Sequence, residues 1–339
     1  MKTSRMGIAA GITVTAVLIV LLIFALFSGS VRIPPETMVR ILSGRERDTP
    51  LAHIVWELRL PRIFMALLVG MLLAAGGTIS QTVFRNPLAD PYIIGINAGA
   101  VAGAVLAFML KLPDLHYGLF AFLGAAGTSF LVFRLSAGEG RTDTSLLLVT
   151  GVAVSAFLSA LSSFCMYMAG QDSYRVMIWT MGYLGAASWS RIIFLSVPLT
   201  LGLLYFLYHR QELDALLLGD DEAHSLGLPV ASLKRRLLLA VSLMAAFSVA
   251  FAGMIGFVGL IVPHAVRRLT GNSHGRLLPL AAYTGGVFLL FADILSRTLL
   301  APVEIPIGVI TAFFGAPFFL FLAIRRTKVP MGKGGRFVS

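Results

Sequence analysis

The chain has 339 residues, of which 57% are hydrophobic and 13% charged, whereas soluble domains carry about 25% charged residues. That excludes an ordinary soluble protein and points to a polytopic membrane protein, and a single cysteine, Cys165, excludes an internal disulfide or a cysteine-based metal cluster. The net charge of +11 reads, in such a chain, as basic loops on the cytoplasmic side and not as a nucleic-acid surface.

Lys2 and Arg5 precede an uncharged run from Gly7 to Phe27. It is longer than the roughly 7–15 apolar residues of a secretion signal, so a retained first span is expected. Residues 28–61 form a polar loop, PPETMVRILSGRERDTPLAHIVWELRLPR at its heart, with a surface helix expected within it. Two uncharged stretches follow, 63–84 and 92–110, separated by the segment QTVFRNPLADPYIIGINAG (81–99). Pro87 and Pro91 lack an N–H and restrict their predecessors, so a tight turn is predicted there. About 20 apolar residues cross a hydrocarbon core about 30 Å thick, and further spans are predicted near 117–133, 146–169, 192–208, 279–299 and 305–324.

Leu237 to Val266 carries no charge, and as one helix it would run about 45 Å, too long for a bilayer. Gly253, Gly256, Gly259 and Pro263 favour a break. If the stretch crosses once, Arg267, Arg268, Arg276 and the basic tail from Arg325 to Arg336 all fall outside. If it crosses twice, they fall inside with the majority of the 27 Lys and Arg residues. The positive-inside rule selects the second arrangement: an all-α polytopic membrane protein of ten transmembrane helices with both termini cytoplasmic.

Gly95, Gly99 and Gly103 recur four apart, as do Gly70 and Ala74, a spacing that lets helix backbones approach where lipid supplies no hydrophobic drive. In the loop 209–236, HRQELDALLLGDDEAHSLGLPVASLKRR, two short helices are predicted. Leu213, Leu216, Leu217 and Leu218 lie on the first, Gly219 breaks it, Asp220 caps the second, and Gly227 ends it. Leucines between acidic residues suit a docking surface for a soluble partner, or an interfacial loop. Asp293 is the ionisable residue best placed inside a span, and Arg297 one turn on shares its face. Its position, late in the ninth span, suits a structural or docking role better than proton relay. Arg59, Arg62 and Arg297 sit on the outer side, against the charge rule, which suits either an acidic partner or lipid headgroups. No P-loop, HExxH or intramembrane GxSxG occurs, and the tail MGKGGR has the wrong spacing for a phosphate loop. Neither an enzyme nor a cofactor or metal site is expected.

Four ordered segments resemble the FecCD family of ABC-importer permeases. They are LRLPRIFMALLVGMLLAAGGTISQTVFRNPLADPYIIGINAGA (58–100), LGDDEAHSLGL (218–228), GMIGFVGLIVPHAVRRLTG (253–271) and ADILSRTLLAPVEIPIGVITAFFGAPFFLFL (292–322). The resemblance implies the type II importer permease fold over a single transmembrane domain, 1–339, in the cytoplasmic (inner) membrane of a prokaryote. It implies transport of iron-siderophore, with cobalamin or haem as the alternative cargo. The implied partners are two ATPase subunits inside, a substrate-binding protein outside, and a second permease copy, identical or similar. By the same resemblance Arg59, Arg62 and Arg297 receive acidic residues of the binding protein. Leu216, Leu217, Leu218, Gly219, Asp220, Glu222, Ala223, Leu226 and Gly227 fall in the ATPase coupling helices. Asn86, Leu88, Thr144 and Ser145 close the cytoplasmic end of the pathway, while His264 and Arg267 make structural or partner contacts. An ion-coupled secondary transporter is the competing class; it needs acidic residues or broken helices near mid-bilayer, where only the peripheral Asp293 is available.

Overall fold

The computed structural model describes residues 2–29, 31–92, 94–113, 115–136, 144–170 and 174–327. The tail residues Lys328, Lys333 and Arg336 lie outside it, as does the side chain of Thr144. Every regular element among the described residues is helical. A long first helix, α1 (Lys2–Phe27), leads into the polar loop, where α2 (Pro35–Leu42) and α3 (Pro50–His53) both begin on a proline. Proline is pre-organised for the first helical position, and Thr49 caps α3 by accepting from the Ala52 N–H at 3.2 Å. The surface helix predicted in this loop is α2. It is pinned by a small satellite core of Ile33, Met38, Ile41, Ala52 and Val55. A π-helical turn, Ile54–Arg59, then runs into α4 (Leu60–Val83), where Pro61 has no N–H to offer the preceding turn.

The apolar spans follow as α5 (Ile96–Met109), α6 (Leu115–Leu135) and α7 (Thr144–Ala169), then a short α8 (Tyr174–Thr180) and α9 (Trp189–Tyr208). Two short helices, α10 (Arg210–Leu216) and α11 (Asp220–Ser225), precede α12 (Val230–Ala252), α13 (Val258–Thr270), α14 (His274–Thr298) and α15 (Ile307–Thr327). The uncharged stretch 237–266 is therefore broken, at 253–257, as its glycines suggest. Seven helical segments among the described residues are long and apolar enough to cross a membrane, and α5 and the 307–320 part of α15 are shorter apolar helices. This is a multi-pass membrane protein.

Boundaries moved where polar residues find partners. Span seven was expected from Leu237, yet α12 starts at Val230 and carries Lys234 inside it, because the Lys234 ammonium is buried against a carboxylate. Span nine was expected from Pro279, but α14 starts at His274, with Pro279 in its second turn, where it offers no N–H to the Gly275 carbonyl. α5 starts later than expected, since Gly95 holds a left-handed φ of 83° at its N-cap.

The core gathers around α4, which is buried along most of its length and packs on α14, α12, α13 and α9. By contrast α1, α7 and α9 show long apolar side chains outward, among them Val20, Val152, Phe157 and Leu201, as lipid-facing helices do. Close packing rests on bare backbone. A Cβ on Gly70 would stand 2.2 Å from the Gly285 carbonyl oxygen of α14, and one on Gly77 would stand 1.9 Å from that of Gly259 in α13. Gly99 and Gly103 meet α6 in the same way, which is the packing role expected of small residues at this spacing.

Candidate functional site

α4 and α14 run antiparallel, so each end of this central pair gathers residues from both. With 24 residues, α4 separates the two ends by about 36 Å. One end holds Arg59, Arg62, Asp293 and Arg297. Arg62 donates from Nε to Asp293 Oδ1 at 2.9 Å, and from Nη1 to both oxygens of Glu304, at 2.8 and 3.0 Å. Arg297 Nη2 lies 3.1 Å from Asp293 Oδ2, the one-turn pairing expected from the sequence. Arg59 donates to the carbonyls of Leu26 and Val31, fastening α4 to the end of α1. All three arginines are less than a tenth exposed, and Asp293 is fully buried. The structure thus brings Arg59, Arg62 and Arg297 into one cluster, and uses each within the chain as well. The sequence did not suggest Glu304, whose side chain remains about a third exposed.

At the opposite end, α4 stops in a Schellman turn. Arg85 N–H donates to Thr82 O and Asn86 N–H to Gln81 O, both at 3.1 Å, with Arg85 itself at φ 45°. Two side-chain turns then stiffen the segment. Asn86 Oδ1 accepts from Leu88 N–H at 3.0 Å, and Asp90 Oδ1 accepts from Tyr92 N–H at 2.9 Å. Burial pushes the Asp90 carboxyl up to about 6. The turn predicted from Pro87 and Pro91 is thus a rigid, doubly bonded structure. Asn86 and Leu88 are half-buried in it, and Ser145 is exposed at the start of α7.

The loop after α9 lies against this turn. Leu213 and Leu216 of α10 and Ala223 of α11 face the bundle and are fully buried, whereas Leu218 is 66% and Leu226 63% exposed. The exposed apolar tips are therefore Leu218 and Leu226, with Glu222 and Asp221 exposed between them and Leu217 half-buried. Gly219, at φ 142°, is the residue before α11, and Gly227, at φ 84°, lies just past its end. Asp220 stands one place inside α11 instead of capping it, and its carboxylate receives Lys234 Nζ at 2.6 and 2.8 Å. Between turn and loop opens a cleft of about 480 Å3, lined by Gln81, Arg85, Pro87, Leu217, His264 and three further polar residues including Arg267. His264 stacks edge-on to Phe318 with ring centroids 6.0 Å apart. Sequence reasoning missed Asp214 and His274, which link this loop to α14 and α4; residues 60 positions apart give no local signal of such a bond.

A bundle of long apolar helices, with a charged cluster at one end and a turn-and-loop assembly at the other, defines a polytopic membrane protein. The chain belongs to the FecCD transport family, whose sequence profile matches residues 17–325. It is 43% identical over 270 residues to the cobalamin import system permease protein BtuC of Halobacterium salinarum, covering 79% of this chain and 73% of that one. It is 38% identical to the hemin transport system permease protein HmuU of Yersinia pestis, over 93% and 96% of the two chains. A solved ABC transporter of the metal-chelate type, in an inward-facing conformation, superposes with a TM-score of 0.81 at 32% identity, covering 93% of this chain and 98% of that one. The chain is accordingly a permease subunit of the ABC-importer kind.

Proposed function

We propose that this chain, as a single domain of ten spans with cytoplasmic termini, carries a metal chelate across a prokaryotic cytoplasmic membrane. Two separate ATPase subunits dock on 213–228 through Leu218, Leu226 and the acidic residues between them. A substrate-binding protein docks at the arginine end, with Arg59, Arg62 and Arg297 as its basic anchors. A second copy of the chain completes the pathway, which Asn86, Leu88, Thr144 and Ser145 close at its inner mouth. The observation that carries this reading is the polarity of the α4–α14 pair: a rigid turn beside an acidic, leucine-tipped loop at one end, and clustered arginines at the other. Iron-siderophore was the cargo expected from the sequence; the names of the relatives favour a tetrapyrrole, cobalamin or haem.

The purified chain alone should hydrolyse no ATP. Reconstituted in vesicles with its ATPase and binding protein, it should take up labelled cobalamin, hemin or a ferric siderophore only when ATP is supplied. Uptake that persists without ATP and collapses with the proton gradient would instead identify an ion-coupled transporter. Docking has its own test. Arg59→Gln removes the charge and is too short to reach the Leu26 and Val31 carbonyls, so its melting temperature should fall. Affinity for the binding protein, measured well below that temperature, should fall about tenfold, and Arg59→Lys, which keeps the charge, should restore most of it. Unchanged affinity would remove Arg59 from the docking surface.

A further inference from the structure

Two polar chains join the 210–225 loop to the end of α4. In the first, Asp214 Oδ1 accepts from the backbone N–H of His274 at 2.8 Å and lies 2.6 Å from His274 Nδ1. Nε2 of the same ring lies 2.7 Å from Thr82 Oγ1. His274 is fully buried, as is Thr82. The ring donates from Nδ1 to the carboxylate, while the single Thr82 hydroxyl proton faces two acceptors, Nε2 and the Thr78 carbonyl at 3.0 Å. Thr82 is three residues from Arg85, so the chain ends at the Schellman turn itself.

In the second, buried Lys234 holds both oxygens of Asp220, and Asp220 Oδ1 lies 3.7 Å from Arg85 Nη2. Arg85 occupies the left-handed position of the Schellman turn, where glycine is the default and a side chain is strained. A charged residue at a position that glycine fills more easily points to a use for its side chain. Its neighbour is arranged to admit it. A Cβ on Gly219 would lie 3.4 Å from Arg85 Nη1 and 2.0 Å from Glu222 Oε2. The half-exposed Arg85–Asp220 pair is weak by itself; the Asp214–His274–Thr82 chain, with His274 and Thr82 fully buried although the Asp214 side chain is 40% exposed, is the stiffer of the two.

We propose that Asp214–His274–Thr82 and Lys234–Asp220–Arg85 fasten α10 and α11 to the start of the 84–92 turn, so that displacement of the loop displaces Asn86 and Leu88. Asp214, His274, Asp220 and Arg85 are then positioning residues for the inner gate. This rests on the permease reading above and adds the route by which the ATPase-facing loop reaches the gate.

The test uses the assembled transporter, permease with its ATPase subunits, carrying Cys165→Ala and Leu88→Cys. Cross-linking between the two Leu88→Cys sites is compared without nucleotide and after trapping with ATP and vanadate. The parent should show a difference of about fivefold between these states, as a shifted two-state gate does. Asp214→Asn preserves an acceptor for the His274 N–H but weakens the ring contact. It should cut the difference to about twofold or less, with the melting temperature unchanged. A merely structural role would lower the melting temperature and leave the nucleotide response intact. Arg85→Gln, on a half-exposed pair, should reduce the difference by a smaller factor, and it decides the matter if Asp214→Asn fails to assemble. A parent-like difference in whichever of these variants assemble overturns the linkage. A parent without any nucleotide-dependent difference overturns the gate role given to Leu88 in the proposed function, and the linkage with it.

Discussion

Asp293→Ala should destabilise the folded chain by about 3–5 kcal/mol, the cost typical of breaking a buried ion pair from one side. Asp293 is fully buried and holds Arg62 at 2.9 Å and Arg297 at 3.1 Å. Removing its carboxylate leaves Arg297 without an acidic partner in direct contact and Arg62 with Glu304 alone. Both guanidiniums are less than a tenth exposed, so water replaces little of what is lost. Thermal melting of the purified protein in detergent should show the loss. A triple change, Asp293→Ala with Arg62→Met and Arg297→Met, removes the stranded charges and should recover most of that stability, since apolar replacement of a whole buried network is often neutral or better. It should not recover docking of the binding protein. A triple variant no more stable than Asp293→Ala would show that the cluster contributes by shape and not by charge balance.

The second large effect is expected at a glycine pair. Gly77→Ala should cost about 3 kcal/mol, at the upper end of ordinary overpacking, because its Cβ would stand 1.9 Å from a backbone carbonyl of α13. No rotamer change relieves a clash with backbone, so the two helices must part. Gly76→Ala, one residue earlier, is the control. Its Cβ would meet Pro91 and Val241 at 3.5 Å, an ordinary contact, and alanine is the better helix former by about 1 kcal/mol. Gly76→Ala should therefore melt at or above the parent temperature while Gly77→Ala melts well below it. Equal melting of the two would refute the close α4–α13 contact.

Helix positions were legible because hydropathy is a local property: an uncharged run of 20 residues has few alternatives to a helix in lipid. The break inside 237–266 was legible for the same reason, being a matter of length and glycine content. The turn at Pro87 and Pro91 followed from missing donors. What hydropathy misplaced were helix starts at polar residues, such as Val230 and His274, because a local scale counts Lys234 or His274 as a cost and cannot see Asp220 or Asp214 offsetting it. On the candidate site, the sequence paired Asp293 with Arg297 from their one-turn spacing but had no means to find Arg62, which is 231 positions away. It also turned the loop leucines outward as a group, whereas Leu213 and Leu216 seal the bundle and Leu218 and Leu226 remain exposed.

The amino-acid sequence by itself determined the class of protein, the run of apolar helices, the rigid turn at 84–92 and the family. Each of these depends on composition or on contiguous residues. Only the tertiary structure decided that the opposite ends of α4 and α14 collect separate polar networks, since an antiparallel pair places Arg62 beside Asp293 and Thr82 beside His274. Bonds of that kind form between groups hundreds of positions apart in the chain but a few ångströms apart in space, where burial makes every unpaired charge costly and so selects its partner.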